Sequence, residues 1–314
     1  GCTALVLTGF GIHDSVANIA NFQFDDIQKY DVSAQFSDTL TEDKINEVES
    51  DHKSELDAAT AVQMTSGDVT GDSITKSAYI VASDDPAITD IFDLHIDGET
   101  VPYPGKGEVL LTEKLAELTD IKTGDTVTVS VSDTEKAELK VAGLVENYVQ
   151  NYLYMTGETY AMVADKGYEP KTLLLRVNDG ADEYALSAAL SKTDGVSSVS
   201  VVTDTRNMID QMMQSLNYVV ALVLISAGAL AFIVLFNLGN INLTERVREI
   251  ATIKVLGFHS RETGAYVFRE NIILSMMGIV VGLPLGVLLH TFVLMQIRVD
   301  MVSFKAVIAP VSFL

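Results

Sequence analysis

Only one cysteine, Cys2, occurs in 314 residues. That excludes an internal disulfide framework and a cysteine-rich zinc site, so packing must hold the fold. Charge is missing over two long runs, the 22 residues 217–238 and the 27 residues 271–297. Both exceed the roughly 20 apolar residues that cross a bilayer, and the chain reads as a membrane protein. Basic residues are scarce where acidic ones are dense: positions 13–215 hold 38 Asp and Glu against 14 Lys and Arg. That balance of −24 exceeds the whole net charge of −22 and leaves about +2 for the rest of the chain. A block so acidic repels phosphates, which excludes nucleic acid as a partner. It reads as a soluble domain hung between membrane segments.

A catalytic constellation is lacking too. His13, His52, His95, His259 and His290 are scattered without the i, i+4 spacing of a zinc helix. Gly9-Phe10-Gly11 has no Lys-Ser/Thr tail to complete a phosphate loop, and no Walker-type sequence occurs. Asp68 and Asp72 sit in a turn cluster without the calcium-loop pattern. No catalytic residue, metal site or cofactor is therefore expected within the chain. His290 lies inside an uncharged run, where an ionisable group either marks function or is a neutral imidazole bonded to a neighbouring helix.

Both ends are apolar but short. Residues 1–12 read as the end of one span and 306–314 as the start of another, with no initiator Met and no charged leader ahead. This predicts a piece of a longer polytopic chain, with Cys2 a span cysteine rather than a lipoprotein site. The expected fold is a membrane α-helical bundle of four spans, the first and last truncated, plus an extracytoplasmic α+β domain with a β-rich insertion. Its order is the end of a transmembrane helix (1–12), the external domain (13–215, insertion about 66–170), a transmembrane helix (216–238), a cytoplasmic loop (239–265), a transmembrane helix (266–297), an external loop (298–305) and a truncated span (306–314). Lys and Arg of short loops favour the cytoplasm. The loop 239–265 holds Arg246, Arg248, Lys254 and Arg261, whereas the 18 residues after the first span hold only Lys29. The acidic domain is accordingly placed outside, although Arg298 and Lys305 in an external loop run against the rule.

Within the acidic block, alternation predicts strands over 30–36 and 55–65 with a helix over 41–49 between them, a β-α-β unit. A matching unit closes the domain: a strand over 172–177, a helix over 181–190 with Leu186 and Leu190 on one face, and a strand over 196–202. Two such halves can pair into one layer of sheet and one of helix. Between them, Pro and Gly divide mostly short strands, with a turn at 122–125 before the alternating stretch 126–131 and a short helix over 113–118. Tyr148, Tyr152, Tyr154 and Met155 form an aromatic cluster that suits either a seam between subdomains or an exposed binding patch. In the spans, the small residues at 226–229 and Ala231 allow close helix contact, and Gly278 with Gly282 makes a small-xxx-small face. Pro284 removes a backbone hydrogen bond, so Gly282, Pro284 and Gly286 are a candidate hinge.

The stretch 242–257 packs five charges, Glu245, Arg246, Arg248, Glu249 and Lys254, between the two uncharged runs. Asn242 with Glu245 fits a cap-x-x-Glu helix start, and Gly257 suits a helix stop. Leu243, Val247, Ile250 and Lys254 fall on one face, an arrangement for a short helix resting at the membrane boundary with the Lys stem snorkelling. Pairs such as Glu245 with Arg248 contribute only a few tenths of a kcal/mol when exposed, so stability gives little reason for so many charges. A solvated loop obeying the positive-inside rule would not need mixed signs.

This stretch, Glu-Arg-Val-Arg-Glu-Ile-Ala-Thr-Ile-Lys-Val-Leu-Gly, with Phe-Arg-Glu-Asn-Ile-Ile-Leu at 268–274 and Gly-x-x-x-Gly-x-Pro-x-Gly at 278–286, resembles the FtsX-like permease family of ABC transporters over residues 216–314. The external block resembles the MacB-type periplasmic core domain in layout and in the strings at 107–115 and 145–148. The resemblance implies a non-catalytic permease in the plasma membrane that works with a separate ABC ATPase, which binds the ATP and Mg. It implies that Glu245, Arg246, Arg248, Glu249 and Lys254 dock on that ATPase. It also implies four spans around one external domain and a second permease module or homodimer, with the lipid bilayer and an extracytoplasmic protein as further partners. Two functions follow: export or extraction of a hydrophobic, peptide or lipid-type substrate, or mechanical signalling to a cell-wall hydrolase or sensor kinase.

Overall fold

The computed structural model describes residues 2–17, 19–245, 247–255 and 260–296. Arg246, Gly257, the loop expected at 298–305 and the span expected at 306–314 lie outside these residues. Two compact units result, a helical one from residues 2–17 and 211–296 and an α/β one from residues 19–210.

In chain order, α1 (Cys2–Ala17) belongs to the helical unit, and the single turn α2 (Ile19–Asn21) runs into a six-residue π-helix, Phe22–Ile27. Then come β1 (Val32–Phe36), α3 (Glu42–Asp51), β2 (Leu56–Thr70), β3 (Thr75–Ala82) and α4 (Ile88–Ile91). A small hairpin, β4 (His95–Ile96) and β5 (Glu99–Thr100), precedes β6 (Glu108–Thr112), α5 (Glu113–Thr119), β7 (Thr126–Ser130), β8 (Lys136–Val145), β9 (Tyr152–Met155) and α6 (Gly157–Val163). The chain returns through β10 (Thr172–Val177), α7 (Glu183–Leu190) and β11 (Val196–Val201).

Four strands form the first half of the sheet in the order β11-β1-β10-β2, each antiparallel to its neighbour. The two β-α-β units therefore interleave: β10 lies between β1 and β2, and β1 lies between β10 and β11. This is a split β-α-β, ferredoxin-like arrangement. Its helices start where side chains supply the missing acceptors. Thr41 Oγ1 accepts from Lys44 N at 3.4 Å, and Asp182 accepts from Tyr184 N and Ala185 N at 2.9 and 3.1 Å. Val48 of α3 and Leu186 and Leu190 of α7 bury against Val32, Ala34 and Leu173 of the strands. Each such side chain contributes about 1.5–3 kcal/mol by leaving water.

The insertion closes into a barrel. β2 is long enough to serve two partners, pairing with β10 through Leu56–Val62 and with β3 through Gln63–Thr70. From there β3 pairs in parallel with β9, β9 antiparallel with β6, β6 in parallel with β8, and β8 antiparallel with β7. β7 then returns to β2 at Asp68–Thr70, closing six strands and leaving no edge to aggregate. Gly67 makes the closure fit, because a Cβ there would lie 2.6 Å from the Ser130 carbonyl oxygen. Val69, Ile80, Leu111, Val129 and Leu153 fill the interior, with Leu115 of α5 and Val163 of α6 packed on them.

α8 (Val202–Glu245) begins in the α/β unit with residues 202–210 and continues in the helical unit from residue 211, where α9 (Val247–Val255) and α10 (Ser260–Gln296) follow. Val220–Glu245 and Ser275–Val293 are long and apolar enough to cross a membrane. Most of their large apolar side chains are exposed, Phe232 and Val280 by about 70%. Such a surface is stable only in lipid or under a partner. α8 runs through Asn242 without a break, so Asn242 does not cap a new helix as its spacing with Glu245 suggested. A capping residue needs extended backbone, and the helix of the span has already supplied the hydrogen bonds that a cap would replace.

Candidate functional site

The charged stretch is split between the end of α8 and α9. Glu245 ends α8 and is exposed, Arg248 is exposed on α9, and Glu249 and Lys254 lie within α9. Among the described residues no ion pair joins Glu245 to Arg248, so the expected i, i+3 contact is not made. Val247 and Val255 of α9 are exposed by 57% and 88%, and Leu243 is exposed too. α9 thus presents charge and bare apolar surface together, the composition of an interface core with a polar rim. It can bind a protein surface of mixed charge or the membrane boundary.

Behind it, the helical unit is built by close approach of α1 to α10. A Cβ on Gly286 would come within 2.9 Å of Leu7 Cδ2 and 3.2 Å of the Ala4 Cα. One on Gly282 would meet Thr3 Cβ at 2.8 Å, while one on Gly278 would face nothing within 4 Å among the described residues. Among the described residues, the small-xxx-small pair that meets a neighbouring helix is Gly282 with Gly286, one step along from the expected Gly278 with Gly282. A periodicity of four cannot by itself say which pair meets a neighbour. Thr8 is buried in this contact, its hydroxyl reaching the Ala4 carbonyl at 2.8 Å and the Gly286 carbonyl at 3.2 Å. His290 is 99% buried, and a Cβ on Gly11 would stand 2.7 Å from its ring. Pro284 lies inside α10, which continues on both sides of it. Among the described residues nothing lies within 4 Å of a Cβ built on Gly228 of α8, whereas Gly9 of α1 approaches Leu224.

In the α/β unit Tyr152 and Tyr154 form a seam. Tyr148, Tyr152, Tyr154 and Met155 are all buried. Tyr154 packs edge-on to Phe92 at 5.4 Å and stacks with Tyr152 at 6.0 Å. Their cluster joins Val81 and Leu110 of the barrel to Val62 and Leu174 of the ferredoxin-like half. Burial raises the pKa of the Tyr154 phenol well above its ordinary value, and burial followed by a hydrogen bond to Glu146 raises that of Tyr148. Neither ionises at physiological pH, and an aromatic binding patch on the surface is not what they form. Two residues of this region escaped the sequence reading. Gln23 is fully buried, with nothing in its neighbourhood to mark it. Arg206 had one signal, being the sole basic residue between Lys192 and Arg246.

Two family profiles cover most of the chain: the MacB-like periplasmic core domain over residues 1–193 and the FtsX-like permease C-terminal region over residues 221–314. No curated protein sequence matches. Among solved structures, the chain is similar to the extracellular domain of the noncanonic ABC-type transporter YknZ from Gram-positive bacteria. The two are 13% identical over 55% of this chain and 98% of that one, with a TM-score of 0.40. It is also similar to the periplasmic region of MacB from Actinobacillus actinomycetemcomitans, 14% identical over 60% of this chain and 94% of that one, with a TM-score of 0.37. On the two profiles, the chain belongs to the FtsX/MacB-like permease family of ABC transporters, membrane-embedded proteins with an extracytoplasmic domain and an ABC ATPase as partner.

Proposed function

We propose that this permease takes up the motion of a separate ATPase through Glu245, Arg246, Arg248, Glu249 and Lys254. It passes that motion to the extracytoplasmic domain, driving export or extraction of a hydrophobic, peptide or lipid-type substrate. The observation that carries this reading is the exposure of Arg248, Val247 and Val255 on a short helix between two membrane-length segments. ATP and Mg bind to the partner, and the chain itself is a non-catalytic subunit. It sits in the plasma membrane with four spans and works beside a second module or a second copy. Gly257 is by residue type suited to a helix stop, and Gly282, Pro284 and Gly286 let α10 bend where it meets α1.

The test reverses Arg248 to Glu, or Glu249 to Lys, in the full chain. Loss of the co-purifying ATPase, restored by charge reversal on the partner, is the expected result. Unchanged co-purification and unchanged hydrolysis in both variants would remove the docking assignment.

A second reading, regulation of an extracytoplasmic enzyme or sensor without transport, is supported by one feature of the barrel. A groove of about 580 Å³ is lined by Ser66, Asp68, Ser77, Ser130, Asp133 and Lys136. Its hydroxyl and charged lining suits a protein surface better than a hydrophobic substrate.

A further inference from the structure

We propose that the start of α8 is a mechanical joint: Arg206 grips the π-helix, and Gln23 of that helix is wired into the loop 146–150 that feeds β9. This rests on the reading of the chain as a motion-transmitting permease. Every residue involved belongs to the α/β unit.

Arg206 meets the π-helix with a two-pronged contact. Its Nη1 is 2.5 Å from Asp25 Oδ1 and its Nη2 3.1 Å from Asp25 Oδ2, while Nη2 also donates to Asn21 Oδ1 at 2.7 Å. A planar fork of this kind fixes direction as well as distance, which a lysine does not. On its other side the π-helix inserts Gln23, which is fully buried. Its Nε2 donates to Asn147 Oδ1 at 2.9 Å, and its Oε1 accepts from the amides of Tyr148 and Val149, each at 2.9 Å. The loop has no slack to absorb a displacement, because Asn147 Nδ2 also donates to the carbonyls of Val149 and Gln150 at 2.7 and 2.8 Å. Gln150 is held at φ +65°, in the left-handed region. Two residues later β9 enters the barrel between β3 and β6. A guanidinium pulling on Asp25 therefore acts through one turn of helix on a strand in the middle of the sheet. π-Helices close i→i+5 hydrogen bonds and occur mostly as single turns, frequently at functional sites.

A brace that merely stabilises would act only where it touches, and exposed ion pairs of this type contribute little. A joint predicts action at a distance. The experiment follows hydrogen exchange of the Tyr148 and Val149 amides in the full chain in lipid nanodiscs, with no ATPase present. Arg206→Met should speed exchange at these two amides by about fivefold or more, with the β1 and β10 amides unchanged. In a Gln23→Leu background the same substitution should add nothing, since the wire is already cut. Exchanging the partners, Arg206→Asp with Asp25→Arg, should return protection to within about twofold of the unaltered chain. Should Arg206→Met loosen the whole unit, that exchange decides: recovery sustains the joint and failure to recover overturns it. Unchanged exchange at Tyr148 and Val149, or effects of Arg206→Met and Gln23→Leu that simply add, would also overturn it. Because no ATPase takes part, failure here leaves the docking test at Arg248 untouched, and failure of docking leaves this result standing.

Discussion

Substituting alanine at Gly286 and at Gly278 in turn separates packing from helix preference within one helix. Both positions lie inside α10, so the intrinsic gain of alanine over glycine, about 1 kcal/mol, is common to the two and cancels in their difference. What remains is the new methyl group. At Gly278 it meets nothing within 4 Å among the described residues, whereas at Gly286 it would lie 3.0 Å from Leu7 Cβ and 3.2 Å from the Ala4 Cα. Leu7 Cδ2 can rotate away, but a Cα and a Cβ move only with the α1 backbone. Forced overpacking of this sort costs about 1–3 kcal/mol. Gly286→Ala is thus expected to be about 1–3 kcal/mol less stable than Gly278→Ala, and Gly282→Ala, 2.8 Å from Thr3 Cβ, should behave like Gly286→Ala. The measurement is reversible unfolding of the detergent-solubilised chain on titration with SDS, read by helical circular dichroism. If the Gly286 and Gly278 variants agree to within about 0.5 kcal/mol, the close approach of α1 to α10 is wrong.

Tyr154→Phe should stabilise the α/β unit by about 1–3 kcal/mol in thermal unfolding, because its buried hydroxyl has no protein hydrogen-bond partner among the described residues and pays desolvation without return; a destabilised variant would show the hydroxyl to be bonded. Asp93 accepts from Lys29 Nζ at 2.7 Å, and that hydrogen bond holds its carboxyl below the ordinary range. A depressed folded pKa contributes stability above the unfolded value of about 3.9 that is lost as pH falls through the folded value. Asp93→Asn should therefore cost little, since both side chains are about a third exposed, and the gap from the unaltered chain should close as pH falls below about 4. A gap independent of pH in acid unfolding would contradict the pairing.

Much of the layout was legible because it depends on patterns along the chain. Uncharged runs marked the two membrane-length segments, and alternation with capping residues located β1, α3, β10, α7 and β11 to within a few residues. The charge order at 245–257 carried the family resemblance. Other features depend on which distant segments meet. Nothing local says that β2 serves two partners, that β7 returns to it past Gly67, or that β10 slips between β1 and β2. The same holds for the choice of Gly286 over Gly278 as the packing glycine, and for Gln23, whose importance comes wholly from three groups some 125 residues away.

The sequence by itself determined that the chain enters a membrane, that its acidic domain is distinct from the spans in composition, and that it belongs with FtsX-like and MacB-like permeases. Hydrophobic length, charge sign and charge order act locally and need no partner to be read. Only the tertiary structure decided that the insertion is a closed barrel, that Tyr152 and Tyr154 are a seam, and that Arg206 and Gln23 bracket one turn of π-helix. Those outcomes are set by closure of hydrogen-bonded strands and by burial of polar groups, which depend on distance in space and not on spacing in the chain.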